Sequence, residues 1–420
     1  GKVLGVRNYG LWKRRPRMKV LLNHYVFYNP WVSTRHGMRT APTFVGALLG
    51  MLACIQTSVV YAAGLYDREW EFRQPVTIAG GMIEGELTNF PVLIQITNAN
   101  NHIFGQAQPN GNDIVFTASD RTTKLSHEIQ HYADTGTNAL IAWVKVPLLP
   151  AGVDTTLYLY YGNAAAPDQQ AVADVWADGF GAVWHMNELL ARDSTSNAYH
   201  FISTSSGSTA FLAQSGKIGS AVMFNGDGNI SAGSPPLLNM GPNKNLTVSF
   251  WFNVPNPCGG ASVRMLNRGM ANNSSTGFGV WSGAGACSPR CGYGTGSIRK
   301  FTAIADNTYA DETWHYVTAV FDRQGDMTLY MNDGTDFKSY DMSADADLNL
   351  STTSALQMGG TSSTTGGWLI GKIDEARICR TIRNEAWRLA CYRNQGDPSA
   401  WMTLGPERPC RPPGTFITVR

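Results

Sequence analysis

The sequence predicts an all-β protein built from two β-sandwich domains. Apolar and polar residues alternate over many short segments, which is the pattern of strands that bury one face. Turn sequences rich in Asn, Asp and Gly separate these segments, for example at 110–113, 225–228 and 332–334. Only 384–393 has the pattern of a helix. At 420 residues, the chain is long enough for two or three domains with separate cores.

The domain boundaries follow from where the alternating segments stop. The last strand pattern of the first domain, at 156–161, ends in Gly-Asn, and an Ala-rich polar stretch follows it. In the second domain, every other residue of 246–254 is apolar, so one full face of this strand is predicted to lie in a core. The predicted organisation is a β-sandwich at 66–165, a linker at 166–181, a second β domain at 182–405 and a tail at 406–420.

The N-terminal region has the features of a secretory signal. Residues 40–66 contain no charged side chain, and Arg39 precedes an apolar core at 44–53. We predict a signal peptide at 38–63, preceded by an upstream or unstructured segment at 1–37. An uncleaved membrane anchor and a lipoprotein attached through Cys54 are the alternatives. The expected location is outside the cell or at its surface, with the periplasm as another destination, and no membrane insertion follows signal cleavage.

Charge is distributed unevenly along the chain. The total is 33 Lys and Arg against 31 Asp and Glu, and nine of the basic residues precede the first acidic one, Asp67. From Asp67 onward, 24 basic residues therefore face 31 acidic ones, for a net charge of about −7. This balance argues against nucleic acid as a partner, and it makes anionic polymers and membrane surfaces unfavourable partners.

Six cysteines follow the signal, and an even number in a secreted chain favours disulfides. We predict a bridge between Cys379 and Cys391, which would tie the end of a strand to the short helix. The pairing of the other four stays open: Cys258, Cys287, Cys291 and Cys410.

The order of several short motifs resembles two known families. The first domain resembles the bacterial domain of unknown function 2341, through 70–73, 89–94, 112–117, 142–147 and 159–163. The second domain resembles the laminin-G-like, or concanavalin A-like, jelly roll. Its motifs are VWHMNE at 183–188, DSTSN at 193–197, AVMFNG at 221–226, ETWHYV at 312–317, LYMN at 329–332 and GKIDEAR at 371–377.

His127, Glu128 and His131 form a literal H-E-x-x-H motif. On a helix the two histidines would share one face and hold zinc, with the Glu activating water. On a strand they would be roughly 13 Å apart and could not bind one ion. The resemblance places a strand here, and no Glu occurs from Ile129 through Asn187 to act as a third ligand. We therefore predict a strand and keep zinc hydrolysis as an alternative.

Calcium is the cofactor that the resemblance implies. In laminin-G-like domains, a turn like Asp193 to Asn197 is commonly brought near the strand that carries Asp374, and calcium binds six to eight oxygen ligands. We predict a calcium site at Asp193, Asn197 and Asp374. The alternative is that Asp193 caps its own turn and that Asp374 accepts hydrogen bonds from nearby amides or pairs with Arg377.

The predicted function is that of a secreted or cell-surface, non-catalytic binding or adhesion protein. Its partner would be a glycan or a surface protein. Trp251, Trp281, Tyr293, Tyr309 and Trp368 are candidates for contact with sugar rings. A glycan-cleaving hydrolase is an alternative, although no Glu has an Asp two residues later to form a catalytic pair. Self-assembly into a surface layer or filament is a third possibility.

Overall fold

The structure is a computed structural model that describes residues 66–410 with short gaps. These gaps are 137, 206–209, 214, 261, 271–274, 284–286, 306–307 and 362–366. The predicted signal peptide at 38–63, the segment 1–37 and residues 411–420 of the predicted tail lie outside the described residues. Within the described part of the chain, no helix combines the length and apolar character needed to cross a membrane.

The first part of the chain forms strands and short helices that precede residue 180. The strands are β1 (Phe72–Ile78), β2 (Leu87–Ile96), β3 (Val115–Thr117), β4 (Lys124–Leu125), β5 (His127–Ala133), β6 (Ala139–Leu149) and β7 (Thr155–Tyr161). The helices are α1 (Tyr66–Glu69), α2 (Ile103–Gln106) and α3 (Val172–Val175), with a 3-10 turn at Gly80–Met82.

The second part is also composed almost entirely of strands. They are β8 (Phe180–Trp184), β9 (Ser203–Thr204), β10 (Phe211–Ala213), β11 (Ala221–Asn225), β12 (Ile230–Ser231), β13 (Leu246–Asn253), β14 (Arg264–Arg268), β15 (Thr276–Ser282), β16 (Pro289–Thr295), β17 (Arg299–Ala303), β18 (His315–Phe321), β19 (Asp326–Met331), β20 (Asp336–Asp341), β21 (Leu356–Met358), β22 (Ile370–Cys379), β23 (Met402–Leu404) and β24 (Arg408–Pro409). The helices are α4 (Glu385–Gly396) and α5 (Pro398–Trp401), and 3-10 turns lie at Pro236–Leu238 and Ser343–Asp345.

The first sandwich consists of a six-stranded sheet and a three-stranded sheet. The order is β23-β1-β7-β3-β4 in the larger sheet, with β24 also paired to β1, and β2-β6-β5 in the smaller sheet. β23 and β24 come from the end of the chain, where the sequence suggested the end of the second domain and a tail. They pair with the edge of β1 that β7 leaves free, and this pairing satisfies backbone groups that an open strand edge would expose.

The jelly roll consists of an eight-stranded and a seven-stranded sheet. The eight-stranded order is β10-β11-β22-β13-β18-β19-β20, with β8 also paired to β22, and the seven-stranded order is β17-β16-β15-β14-β21-β12-β9. Their inner faces enclose one hydrophobic core. Leu246, Val248, Phe250 and Phe252 of β13 all face this core, which confirms the face predicted from their alternation.

The three-stranded sheet is buried on both faces. Four consecutive residues of β2, from Pro91 to Ile94, are buried, which is the pattern of a strand covered on both sides. Its core continues to Trp251 and Tyr316 on the outer face of the eight-stranded sheet. Trp176, within the predicted linker, is also buried in this core. The two sandwiches therefore share a hydrophobic core, and 166–181 contributes to it.

Helix α4 covers an edge of the three-stranded sheet. Asn384 caps its first turn by accepting a hydrogen bond from the amide of Trp387 at 3.0 Å. Near its end, Asn394 accepts a hydrogen bond from the Leu93 amide at 2.7 Å and donates one to the Leu93 carbonyl at 3.1 Å. One side chain thus replaces a neighbouring strand at the free edge of β2. The helix predicted at 384–393 is confirmed.

Replacing Asn394 with Ala should destabilise the fold. The change leaves the buried amide and carbonyl of Leu93 without partners, so we expect the free energy of unfolding to fall by about 2 to 3 kcal/mol. Urea denaturation measures this difference. Asn100→Ala, at an exposed Asn, is the matched control and should change stability by less than about 0.5 kcal/mol. Equal effects of the two substitutions would contradict the role of Asn394.

Candidate functional site

The H-E-x-x-H motif lies on strand β5, as predicted. The His127 ring packs against Phe116 in the first core, with ring centres 5.3 Å apart, and burial lowers its pKa to about 4. His131 is exposed. Because a strand holds these histidines roughly 13 Å apart, the zinc geometry is not formed. Among the described residues, no group of three His, Cys, Asp or Glu side chains is placed to hold a metal ion.

Glu128, between the two histidines, reaches the jelly roll. Its carboxylate accepts hydrogen bonds from the Trp176 indole at 2.6 Å and from the Ser194 hydroxyl at 2.7 Å. It also lies 3.1 Å from Nε2 of His185. The other ring nitrogen of His185 lies 2.9 Å from the carboxylate of Glu375 on β22. A carboxylate of the first sandwich is therefore linked through one imidazole to a carboxylate of the second.

Arg377 completes this arrangement. Its guanidinium donates a hydrogen bond to Glu375 at 2.9 Å, and it stacks 4.3 Å above the centre of the Trp143 ring. We call Glu128, His185, Glu375 and Arg377 the buried charge network. All four side chains are nearly or fully inaccessible to solvent. Two carboxylates and two cations balance, which is the condition for retaining charges in a low-dielectric interior.

The network holds His185 in its protonated form. Burial by itself would lower the pKa of His185, but the charges of Glu375 and Glu128 outweigh burial and raise the pKa to about 10. Burial would raise the pKa of Glu128, but the charge and hydrogen bond of His185 lower it instead. Both ring nitrogens of His185 face carboxylate oxygens. Each nitrogen therefore carries a proton and donates a hydrogen bond to the carboxylate that it faces.

A bulge in β22 aims Glu375 at the network. Pairing with β13 shifts register between Ser249 and Trp251, because β22 has one extra residue between Asp374 and Arg377. Glu375 has a φ of 50°, a conformation that is costly for a residue with a side chain. This conformation turns the carboxylate toward the three-stranded sheet, where it bonds to His185 and Arg377. These bonds compensate for the cost of the conformation.

Backbone amides and the Thr195 hydroxyl surround the carboxylate of Asp193, one of the predicted calcium ligands. It accepts hydrogen bonds from the amides of Val183, Thr195 and Tyr199, each at 2.9 Å, and from the Thr195 hydroxyl at 2.8 Å. Asn197 donates its side-chain amide to the carbonyl of Gly181 at 2.9 Å. These contacts correspond to the turn cap that was the alternative to calcium.

Asp374, the third predicted ligand, is also bonded to the backbone. Its carboxyl accepts hydrogen bonds from the amides of Lys217 at 2.7 Å, Ile218 at 2.9 Å and Glu375 at 2.8 Å. Burial and the charge of Glu375 raise its pKa well above the usual value. Calcium binding at Asp193, Asn197 and Asp374 stays a prediction.

The disulfide differs from the predicted one. Cys258 is bonded to Cys287, whereas Cys379 and Cys391 are free, buried thiols. The predicted Cys379–Cys391 bridge is not formed in this structure, where both thiols are buried in the core of the first sandwich.

The outer face of the seven-stranded sheet carries a second polar cluster. Strand register places Gln357, Asn267, Gly279, Gly292 and Phe301 in one row across β21, β14, β15, β16 and β17. The next rows on the same face hold Arg264, Trp281, Arg290 and Arg299. These side chains point away from the jelly-roll core, to which their strand neighbours Val280 and Cys291 belong.

Aromatic rings and guanidinium groups are layered on this face. The guanidinium carbons of Arg264 and Arg299 lie 5.2 and 5.4 Å from the centre of the Trp281 ring. Arg290 lies 5.4 Å from the centre of the Phe301 ring. Trp281 fits against the sheet because residue 292 is Gly, where a Cβ would approach the indole to 2.7 Å. We call Arg264, Trp281, Arg290, Arg299 and Phe301 the outer-face cluster.

Several buried polar atoms on this face have no hydrogen-bond partner. They include the indole nitrogen of Trp281, Oδ1 of Asn267 and Nδ2 of Asn229. Asn229 and Asn267 are each only 2% exposed, and Gln357 connects to Asn229 through a hydrogen bond of 3.4 Å. We call Asn229, Asn267 and Gln357 the amide row. Unsatisfied buried groups are costly, and five of the twelve such side-chain atoms among the described residues lie on this face, in Asn229, Arg264, Asn267, Trp281 and Arg299. They mark this face as a candidate binding site.

A separate cleft of about 580 Å³ lies on the first sandwich and is lined in part by Arg73, Arg121 and Arg408. Here the positive charge is already compensated in part. Arg73 and Arg121 lie 2.5 and 3.4 Å from the carboxylate of Asp67. This cleft is therefore a weaker candidate than the outer-face cluster.

Sequence reasoning identified Trp281 but missed the amides and arginines around it. The charge distribution is the signal in the sequence that points to the arginines, because 228–305 contains six basic residues and no acidic one. The other four candidate aromatics have structural contacts: Trp251 is buried between the sandwiches, Tyr293 lies in the jelly-roll core, and Tyr309 and Trp368 are hydrogen-bonded to Asp336 and Thr361.

Two family descriptions match the chain. Residues 110–187 match the domain of unknown function DUF2341, and residues 224–387 match the concanavalin A-like lectin/glucanases superfamily. The two families and their order confirm the resemblance inferred from the sequence motifs. The fold is accordingly all-β, with a concanavalin A-like jelly roll as its second sandwich.

Solved structures that are similar to part of this chain include toxin binding domains. The binding domain of Paraclostridial Mosquitocidal Protein 1 has 15% identity and a TM-score of 0.39, over 51% of each chain. The binding domain of botulinum neurotoxin serotype G has 15% identity and a TM-score of 0.40, over 50% of this chain and 49% of that one. This chain thus spans about half the length of those structures. None of the curated proteins matches it.

Replacing Glu128 with Gln should destabilise the protein strongly. The change leaves two buried cations, His185 and Arg377, with one carboxylate, Glu375, so we expect the free energy of unfolding to fall by about 3 kcal/mol or more. Denaturant titration near neutral pH measures the loss. His131→Gln, on the same strand but exposed, should have little effect. A wild-type denaturation midpoint for Glu128→Gln would rule out a stabilising role for the network.

The contribution of the network should also depend on pH. The pKa of His185 is raised from 6.5 to about 10, so its stabilisation is complete below about pH 6.5 and is lost as the pH rises toward 10. The pKa of Glu128 is lowered from 4.5, so its stabilisation is lost as the pH falls below that value. We expect the contribution of the network, measured as the difference in urea unfolding between the wild type and His185→Gln, to be largest between about pH 5 and 6.5. His185→Gln should lack most of the alkaline decline, and an unchanged decline would contradict this assignment.

Proposed function

We propose that the protein is a secreted or cell-surface, non-catalytic binding or adhesion protein whose jelly roll binds a glycan. The binding site is the outer face of the seven-stranded sheet. The concanavalin A-like match over 224–387 supports a lectin-like fold for this region. The finer identification of the site rests on the side chains of the outer face.

The packing of the two sandwiches leaves this face as the site to consider. The outer face of the eight-stranded sheet is occupied, because Trp251 and Tyr316 are buried against the first sandwich and helix α4. The seven-stranded sheet has no such partner among the core clusters of the described residues. Phe301 is 40% exposed on this face, whereas the amide row lies beneath neighbouring side chains and is nearly inaccessible to solvent.

The observation that carries the proposal is the set of unpartnered polar atoms. The Trp281 indole has an unpartnered donor, Asn267 an acceptor and Asn229 a donor. All three atoms are inaccessible to solvent, so a ligand reaches them only when the side chains that cover them move aside. Sugar hydroxyls both donate and accept, so one saccharide can satisfy groups of both kinds. An aromatic ring beside such groups contributes the apolar contact that sugar rings make. Sites that combine these features fix orientation through a few polar groups.

A catalytic role is the competing possibility, and the described residues give it little support. His127 and His131 do not converge on β5, and Glu128 is occupied by Trp176, His185 and Ser194. The buried carboxylates of the charge network are all in ion pairs or hydrogen bonds. We therefore assign these residues to structure and the outer face to binding.

Asn267→Ala should separate binding from stability. If Oδ1 of Asn267 is reserved for a ligand, its removal should weaken glycan binding by roughly tenfold or more. Stability should be unchanged or raised, because an unsatisfied buried acceptor is removed. Glycan-array binding and a thermal melt measure the two effects. Phe337→Ala, at an exposed aromatic of β20 on the other sheet, is the control. Loss of stability with unchanged binding would overturn the proposal.

A further inference from the structure

The three arginines of the outer-face cluster carry positive charge without an acidic partner. No ion pair among the described residues includes Arg264, Arg290 or Arg299. Arg264 donates to the carbonyl of Ser262 and Arg290 to the hydroxyl of Ser288, each at 3.1 Å. The Nε atoms of Arg264 and Arg299 are buried and have no partner. The cluster therefore retains donors and charge for an anion.

The surrounding sequence is rich in basic residues. From Gly228 to Ala305, six residues are basic and none is acidic, although the chain from Asp67 onward is acidic as a whole. One of the six, Lys300, is paired with Asp345 at 2.6 Å, which leaves five without an ion pair among the described residues. This stretch contains β12 to β17, which include most of the seven-stranded sheet. A ligand within a few ångströms of this sheet experiences the local charge more than the distant acidic residues, because salt screens interactions beyond about 8 to 10 Å.

The arginines also repel one another. Burial and the charge of Arg299 lower the pKa of Arg264 to about 10. Burial and the charge of Arg290 lower the pKa of Arg299. An anion bound between these groups would relieve the repulsion, and this gain is absent for a neutral ligand.

The aromatic rings orient the guanidinium groups. A guanidinium presents its N–H donors in one plane, where they can form paired hydrogen bonds to a carboxylate or sulfate. Cation–π contact at 5.2 to 5.4 Å from the centres of the Trp281 and Phe301 rings restricts where these guanidinium groups lie before a ligand binds. The rings therefore reduce the entropy lost when the anion binds.

We propose that the glycan bound at this face is an acidic polysaccharide, whose carboxylate or sulfate groups are held by Arg264, Arg290 and Arg299. This inference rests on the proposed glycan-binding function and specifies its ligand class. It assigns the amide row to sugar hydroxyls and the arginines to the acidic substituents. The cleft at Arg73, Arg121 and Arg408 is not included, because Asp67 compensates its charge.

The test measures binding to three immobilised polymers: a polyuronate, a sulfated dextran and neutral dextran. The Arg290→Gln/Arg299→Gln double variant should bind the acidic polymers at least roughly tenfold more weakly than the wild type. The affinity of this variant for the acidic polymers should also change less than that of the wild type when the ionic strength is raised from about 0.01 to 0.15 M. The control, Arg121→Gln/Arg408→Gln, removes two positive charges from the other cleft and should bind like the wild type. The carboxylate and sulfate arms identify which acidic group is preferred.

Three outcomes would overturn the inference. Equal weakening in both double variants would show a response to net charge alone, and loss in the control only would place the site in the other cleft. If the wild type and the Arg290→Gln/Arg299→Gln variant bind neutral dextran equally and the wild type does not bind the acidic polymers, the proposed function stands and its acidic ligand is rejected. Absence of binding to all three polymers and to neutral glycans on an array would reject both.

Discussion

The fold depends on the buried pairing of Glu128 with His185. Glu128 belongs to the three-stranded sheet, and His185 follows the first strand of the jelly roll. Charges in a low-dielectric interior must be matched at short distance or the interior becomes unstable. Contacts of 3.1 and 2.9 Å through one imidazole therefore fix the two sandwiches in one relative position. The hydrophobic contacts around Trp143 and Trp176 contribute area, whereas the network specifies orientation.

The docking of the two sandwiches determines which outer face of the jelly roll is left for binding. A jelly roll has two outer faces, and in this chain the first sandwich and helix α4 occupy the face of the eight-stranded sheet. The other face carries the amide row and the outer-face cluster. Charged side chains that are paired with one another thus lie where the chain packs against itself, and arginines without an acidic partner lie on the other face. That contrast is the physical basis for assigning Glu128 to stability and the outer face to binding.

Local sequence patterns predicted the strands well because strand burial is a local property. The alternation at 246–254 identified the buried face of β13, and the missing third ligand argued for a strand at His127 to His131. Patterns of this kind contain no information about which distant residues meet. The contact between Glu128 and His185, the pairing of β23 with β1 and the Cys258–Cys287 disulfide all depend on the tertiary arrangement. The amides of Thr195 and Tyr199 that bond to Asp193 belong to its own turn, which the sequence offers as an alternative to calcium, whereas the amides of Lys217 and Ile218 that bond to Asp374 come from a segment that no local pattern connects to it.

The protonation state of His185 is the most direct test of this account. Selective ¹⁵N labelling of histidine and NMR at about pH 8, between the ordinary and the raised pKa, distinguishes an imidazolium from a neutral ring. The charge network predicts that both His185 nitrogens remain protonated at this pH, and that Glu128→Gln shifts the resonances toward the neutral form. A neutral His185 at pH 8 in the wild-type protein would contradict the account, because the two sandwiches would then be joined without the matched charges on which their relative position is argued to depend.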